Sequence, residues 1–234
     1  MTLEAVFFDV GNTLLFPYPS VPEVVRQVLA EVGHVRDVRD IDVYMPLLDE
    51  YYEDRYREDD TFWRSEDATL DVWVGMYSLL CRKLDIHADA EHIARRVYEQ
   101  FGDSGRWRAY DDVRPAFEGL RQRGIRIGVI SNWDNRLVGL MEGLDLSPLL
   151  DVVVSSADVG LHKPDPRIFE LACSRIGVAP EAAAHVGDHQ YADVLGAQAV
   201  GMAAVLIDRH EGEHPGVDRF IRTLDELGRV LDIA

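Results

Sequence analysis

The stretch Val6-Phe7-Phe8-Asp9-Val10-Gly11-Asn12-Thr13-Leu14-Leu15 decides the reading of this chain. A short apolar run ends in an aspartate, and a Gly-Asn-Thr turn follows at once. A continuous apolar run, with no polar residue alternating through it, suits a strand covered on both faces. An aspartate at the carboxyl end of such a strand sits where open α/β sheets bind ligands. There it can act as a nucleophile or hold a metal. Gly11, two residues on, has no side chain and therefore no proton to give or take.

Four more short apolar runs follow much later, at Ile125 to Ile130, Val152 to Val154, Ala183 to Val186 and Ala203 to Ile207. Helical patterns alternate with them. Val113, Phe117 and Leu120 mark a helix over Asp112 to Arg123, and Ile168, Phe169, Ala172 and Ile176 mark one over Pro164 to Ile176, with prolines confined to its first turn. Strands and helices in alternation predict an α/β fold, a doubly wound parallel sheet. From about Phe16 onward the alternation stops and helix follows helix. Ile41, Tyr44, Met45, Leu48 and Tyr52 form one apolar stripe, and Leu70, Trp73, Tyr77, Leu80 and Leu84 form another. Such a block, inserted after the first strand, predicts a helical cap over residues 16–107, with 1–15 and 108–234 as the catalytic core. Pro17-Tyr18-Pro19 and the stretch from Gly102 to Tyr110 are the expected linkers. Trp63, Trp73 and Trp107 are expected in the cap's core, whereas Trp133 is expected beside the site.

The chain has 234 residues, 47% apolar and 28% charged, the balance of an ordinary soluble globular protein. Its formal net charge of −18 argues against nucleic acid and anionic membranes as partners. A phosphate bound here needs local positive charge against that field, which a metal ion supplies. Cys81 and Cys173 are two cysteines within helical patterns, too few for a disulfide framework, and they predict buried thiols in a cytoplasmic protein. No signal-peptide pattern opens the sequence, and no apolar run is long enough for a transmembrane helix. The sequence does not reveal an oligomeric state.

Asp9, Ser131, Lys163 and Asp188 each fall at or just beyond the carboxyl end of an expected strand, so one edge of the sheet gathers them. Any one of them alone could be a helix cap. Four with complementary chemistry in order point to a site. Asp9 and Asp188 suit a hard cation such as Mg²⁺. Ser131 and the amides after it suit phosphate oxygens at a helix N-terminus. Lys163 neutralises nucleophile and phosphoryl group. Asp193, five residues past Asp188, either orients Lys163 or holds a metal-bound water from outside the ligand set.

These segments resemble the haloacid dehalogenase-like hydrolase superfamily, in the branch with a helical cap after the first strand. Asp9-Val10-Gly11-Asn12-Thr13 is similar to the first motif of that family, Ser131-Asn132 to the second, Lys163-Pro164-Asp165-Pro166 to the third, and Gly187-Asp188 with Asp193 to the fourth. The resemblance implies a Rossmann-like core and a Mg²⁺-dependent phosphatase acting on a small phosphorylated metabolite. In that case Asp9 attacks phosphorus and forms an aspartyl-phosphate. Ser131, Asn132 and Lys163 bind the substrate, with Ser131 and Lys163 stabilising the transferring group. Asp9, Asp188 and the main-chain carbonyl of Gly11 hold the ion, with Asp193 behind them.

Gly11 departs from the family pattern. Phosphatases of the family carry a second aspartate there, which protonates the leaving group and then activates water. Such assistance is typically worth ~10²–10⁴-fold. Without it, activity is expected to be reduced, or restricted to good leaving groups such as acyl or aryl phosphates. His162 and His189 neighbour the motifs and are read as exposed loop histidines. Asn12 is expected in the left-handed turn conformation that asparagine tolerates. Two other readings compete. One is a 2-haloacid dehalogenase, whose tyrosine two residues after the nucleophile is absent here. The other is a catalytically impaired binding protein with the same fold.

Overall fold

The computed structural model describes residues 3–210, 212 and 217–233. Its strands are β1 (Ala5–Phe8), β2 (Leu15–Pro17), β3 (Trp107–Ala109), β4 (Arg126–Ser131), β5 (Val152–Ser155), β6 (Ala183–Gly187), β7 (Ala203–Ile207) and β8 (Phe220–Ile221). Six of them form one sheet in the order β5-β4-β1-β6-β7-β8, with every neighbouring pair parallel. β1 lies inside this sheet and is buried at all of its residues, as its unbroken apolar run requires. β2 and β3 form a separate two-stranded ribbon.

The chain divides into two compact units, Met1–Phe16 with Ala109–Ala234, and Pro17–Arg108. The second unit is helical and holds α1 (Val21–Glu31), α2 (Val38–Asp42), α3 (Met45–Glu58), α4 (Glu66–Lys83) and α5 (Ala90–Gln100). Its core is built on Val25, Leu29, Ile41, Leu80, Ile93 and Val97. A cluster of Phe62, Trp63 and Val72 flanks that core, with Trp73 packed against both clusters. The stripe from Ile41 to Tyr52, expected on one helix, is split between α2 and α3. Pro46 sits in the first turn of α3, where its missing N–H and fixed φ begin a helix and cannot continue one.

In the first unit, helices cover both faces of the sheet: α6 (Val113–Gln122), α7 (Leu137–Gly143), α8 (Ser156–Val159), α9 (Pro166–Ile176), α10 (Gly196–Ala199) and α11 (Leu227–Val230). Successive strand residues point to opposite faces. Phe7 therefore joins Ile130, Ile168 and Phe169 on one side, while the Phe8 ring packs 5.1 Å from Phe117 on the other. α9 starts two residues later than its apolar pattern suggests. Asp165 caps it by accepting from the Arg167 N–H, which leaves Pro164 outside the helix. Cys81 and Cys173 are free and buried, and burial pushes both thiols up to about 11. No helix among the described residues is long and apolar enough to cross a membrane.

Candidate active site

Strand register brings the first two motifs together. Phe8 pairs with Val129 of β4 and with Val186 of β6. Asp9 thus emerges level with Ile130 and Gly187, and Ser131 and Asp188 emerge one residue further along their own strands. The Asp9 N–H donates to the Val186 carbonyl at 2.9 Å and holds the aspartate against the sheet edge. The loop after it closes through Leu15 N–H to the Val10 carbonyl and Asn12 N–H to the Leu15 carbonyl, bonds that leave the Gly11 carbonyl unused. Asn12 takes the left-handed conformation at φ 50° and donates from Nδ2 to Asp188 Oδ2 at 3.3 Å.

Ser131 caps no helix. The next helix begins only at Leu137, and the serine hydroxyl instead donates to Asp9 Oδ1 at 2.9 Å. The expectation of phosphate-binding amides at a helix N-terminus directly after Ser131 is therefore corrected: five residues of loop intervene, and they build other parts of the site. Asn132 grips the backbone of Lys163 from both sides, accepting from its N–H at 2.7 Å and donating to its carbonyl at 3.0 Å. Its amide places the lysine. Trp133 lies beside Gly11. A Cβ on that glycine would meet the indole at 3.7 Å.

Lys163 does not follow a strand directly. It comes after α8, which closes on Gly160 in the left-handed conformation (φ 66°). The return of the chain sends the ammonium inward, where Nζ donates to Asp9 Oδ1 at 2.6 Å and to Asp193 Oδ1 at 2.5 Å. Asp193 reaches the same point through a wide π-helical turn, Gln190–Leu195. π-turns are rare and often sit at functional sites. His189 starts this turn, its backbone N–H donating to Asp193 Oδ2 at 3.1 Å and its ring Nδ1 accepting from the Ala192 N–H at 3.1 Å. Gly187 is required here because a Cβ on it would lie 2.2 Å from Asp193 Cγ.

His185 escaped the sequence reading, where it was one more residue of an apolar run. It is buried on β6, and its Nε2 lies 2.8 Å from Asp193 Oδ1. Burial lowers its basicity, against the pull of Asp193. A histidine inside a run of small apolar residues, two positions before Gly187, was the available signal. His162 is a correction of a different kind: it was expected to be exposed and is buried. His189 is exposed as expected, with its ring turned to the π-turn.

Electrostatics separates the three aspartates. Asp193 is buried, which alone would raise it, but Lys163 and His185 hold it below the usual carboxylate range. Burial pushes Asp9 upward against the pull of Lys163 and Ser131. Asp188 is pushed up to about 8, first by burial and then by the charges of Asp9 and Asp193. The Lys163 ammonium resists its own desolvation because Asp193 and Asp9 hold the proton on it, which raises its pKa. Oxygens of Asp9, Asp188 and Asp193 all lie within 4.8 Å of one another. Three carboxyl groups meet one ammonium here. The donors are all oxygens, the set that suits a hard divalent cation.

A parallel α/β core of Rossmann-like topology with an Asp-Ser-Lys-Asp cluster at its carboxyl edge defines a class of hydrolases. Residues 3–201 match the family profile of haloacid dehalogenase-like hydrolases, and the chain belongs to that family. Haloacid dehalogenase-like hydrolase domain-containing protein 3 of Danio rerio is 28% identical over 229 residues, 95% of this chain and 93% of that protein. The Mus musculus protein of the same name is 42% identical over 115 residues, 49% of this chain and 46% of its own, so the matched stretch spans about half of that relative. A phosphatase of Mycobacterium tuberculosis is 36% identical over 160 residues, 66% of this chain and 69% of its own. Among solved structures, a HAD phosphatase from Thermococcus onnurineus superposes with a TM-score of 0.67 at 29% identity, covering 98% of each chain.

Proposed function

We propose that this hydrolase is a Mg²⁺-dependent phosphatase of small phosphorylated metabolites in the cytoplasm, with Asp9 as its nucleophile. The observation that carries the reading is the environment of Asp9. Both side-chain donors that reach it, the Ser131 hydroxyl and the Lys163 ammonium, sit on Oδ1. Oδ2 is then the oxygen that meets phosphorus, while the two donors face the charge that builds on the phosphoryl oxygens. Donors fixed in advance of the reaction supply much of the stabilisation in such transfers. Asp193 and His185 keep Lys163 charged and in place, and Asn132 fixes its backbone.

Asp9, Asp188 and the Gly11 carbonyl would hold Mg²⁺. The ion would neutralise the acidic cluster toward an incoming phosphate and orient its oxygens. Relatives named as phosphatases support the reading, since one matches two-thirds of the chain.

The test uses purified protein on para-nitrophenyl phosphate and acetyl phosphate, with Mg²⁺ and with chelator. Halide release from 2-chloropropionate is followed in parallel. Turnover that needs Mg²⁺ and disappears in Asp9→Asn supports the proposal. Halide release under chelator would place the chain with the dehalogenases. Silence in every assay would leave it a binding protein.

A further inference from the structure

We propose that Trp133 selects the substrate: its indole is a stacking wall for the leaving-group end of a phosphate ester, and the esters it favours carry a planar aromatic ring on or next to the ester oxygen. The inference rests on the phosphatase reading above and adds its substrate class.

The two central strands supply the geometry. Asp9 follows β1 and Ser131 ends β4, and the Ser131 hydroxyl donates to Asp9 Oδ1 at 2.9 Å. Two residues further along each segment stand Gly11 and Trp133. These two also meet, the indole edge lying 3.7 Å from the Cβ position of Gly11. Asp9 and Ser131 are buried, whereas Gly11 and Trp133 are half-buried. The pairs thus form an inner and an outer layer. A phosphoryl group on Asp9 Oδ2 fills the inner layer, and the group esterified to it extends outward past the indole. Gly11 puts no side chain into the outer layer, so the indole supplies its wall.

The indole is mounted on a backbone held from several sides. The Trp133 N–H donates to Ser156 Oγ at 3.0 Å. Its carbonyl accepts from Ser155 Oγ at 2.8 Å and from the Ala157 N–H at 3.2 Å. Before it, Asn132 is tied to the Lys163 backbone; after it, Asp134 is buried and paired with Arg136 at 2.5 Å. A large ring on so rigid a mount loses little conformational entropy when a ligand ring stacks on it. Trp63, by contrast, is buried in the cluster of Phe62 and Val72, the ordinary place for a packing tryptophan.

Tyr110 is a second ring to weigh. Its N–H donates to the Leu14 carbonyl at 3.0 Å, which sets it against the loop of the nucleophile. Its ring is already engaged: the Arg209 guanidinium lies over one face at 4.1 Å, and the Phe16 ring packs on it at 4.8 Å.

The experiment titrates the protein, with Mg²⁺ present, with two phosphonates that resist hydrolysis and differ in ring type, benzylphosphonate and cyclohexylmethylphosphonate. Aromatic pairs gain beyond the area they bury, so the wild type should bind the benzyl compound ~2–10-fold more tightly. Trp133→Leu should abolish that preference, and Trp133→Phe should keep part of it. A purely structural role would weaken both compounds alike, leave their ratio unchanged and overturn the proposal. With 2-naphthyl phosphate as substrate, the loss in Trp133→Leu should fall on KM, because the ring stacks in ground state and transition state alike. A second readout needs no leucine variant. Of the indole N–H signals from the four tryptophans, the one missing in Trp133→Phe belongs to residue 133. Benzylphosphonate should shift that signal by ring current, and cyclohexylmethylphosphonate should not. Equal affinity for the two phosphonates in the wild type overturns the proposal and leaves the phosphatase reading standing. So does a preference that survives in Trp133→Leu, which points to Tyr110. Absence of phosphonate binding together with absence of Mg²⁺-dependent ester turnover ends both.

Discussion

Lys163 carries its charge into a site where its side chain is only 2% exposed, and the fold tolerates it because two carboxylates meet it there. A buried pair stripped of one partner is strongly destabilising, since the remaining charge has neither water nor a counter-ion. Lys163→Ala leaves Asp9 and Asp193 facing each other. Chemical denaturation should show a loss of ~3–5 kcal/mol, and Mg²⁺ should recover part of it by replacing the missing positive charge. If the variant is as stable as the wild type, the ammonium is not what holds this cluster together. Asp188 gives the second expectation at this scale. Its native pKa of about 8 stands above the ordinary 3.8, so the native state keeps a proton that the unfolded chain has already released. Stability without metal then falls as pH rises from about 4 to about 8, by at most ~1.4 kcal/mol per pH unit for one proton. A cation stabilises the ionised form and cancels the loss. The gain in melting temperature on adding Mg²⁺ should therefore widen with rising pH across that window. A gain that stays constant or narrows would show that Asp188 is not a ligand.

At the scale of elements, the π-turn Gln190–Leu195 and the strand end at Gly187 form one device. Asp193 folds back over the strand until its carboxyl group occupies the space a Cβ on residue 187 would need. Gly187→Ala should displace Asp193, and with it the support of Lys163, at an overpacking cost of ~1–3 kcal/mol. Activity should drop far more than stability, because the change falls on the group that orients the ammonium. A variant with normal turnover would show that Asp193 can move without consequence. The strands were legible in the sequence because burial on both faces writes continuous apolar runs, and β4, β5, β6 and β7 appear within a residue of those runs. Asp9, Ser131 and Asp188 were legible with them, since register alone carries residues at strand ends to one edge. Lys163 was expected just beyond a strand and instead reaches the site through α8, a left-handed glycine and a loop. The π-turn was invisible, and the His185 contact left only the histidine itself as a signal, each for a physical reason. A π-turn differs from an α-turn by one hydrogen-bond step, which leaves no periodic mark, and a buried histidine within a strand looks like core. β8 is two residues long, too short to give any pattern.

The whole molecule adds a field that no single residue reveals. With a formal charge of −18, its surface repels phosphate dianions at a distance, while the groups that would bind them are few and buried. Opposed charges speed association at low salt, and like charges slow it. Screening works over about 8 Å at physiological ionic strength and over much longer distances in dilute buffer. The buried contacts of Lys163 with Asp9 and Asp193, at 2.6 and 2.5 Å, are far shorter than that length and keep their strength as salt is added. The long-range repulsion of an arriving substrate does not. For a dianionic ester, kcat/KM should therefore rise with added monovalent salt at fixed Mg²⁺ and then level off, with kcat nearly unchanged. A fall in kcat/KM with salt would mean that a local positive surface guides the phosphate in, and that the net charge of the chain is a poor guide to the field at its site.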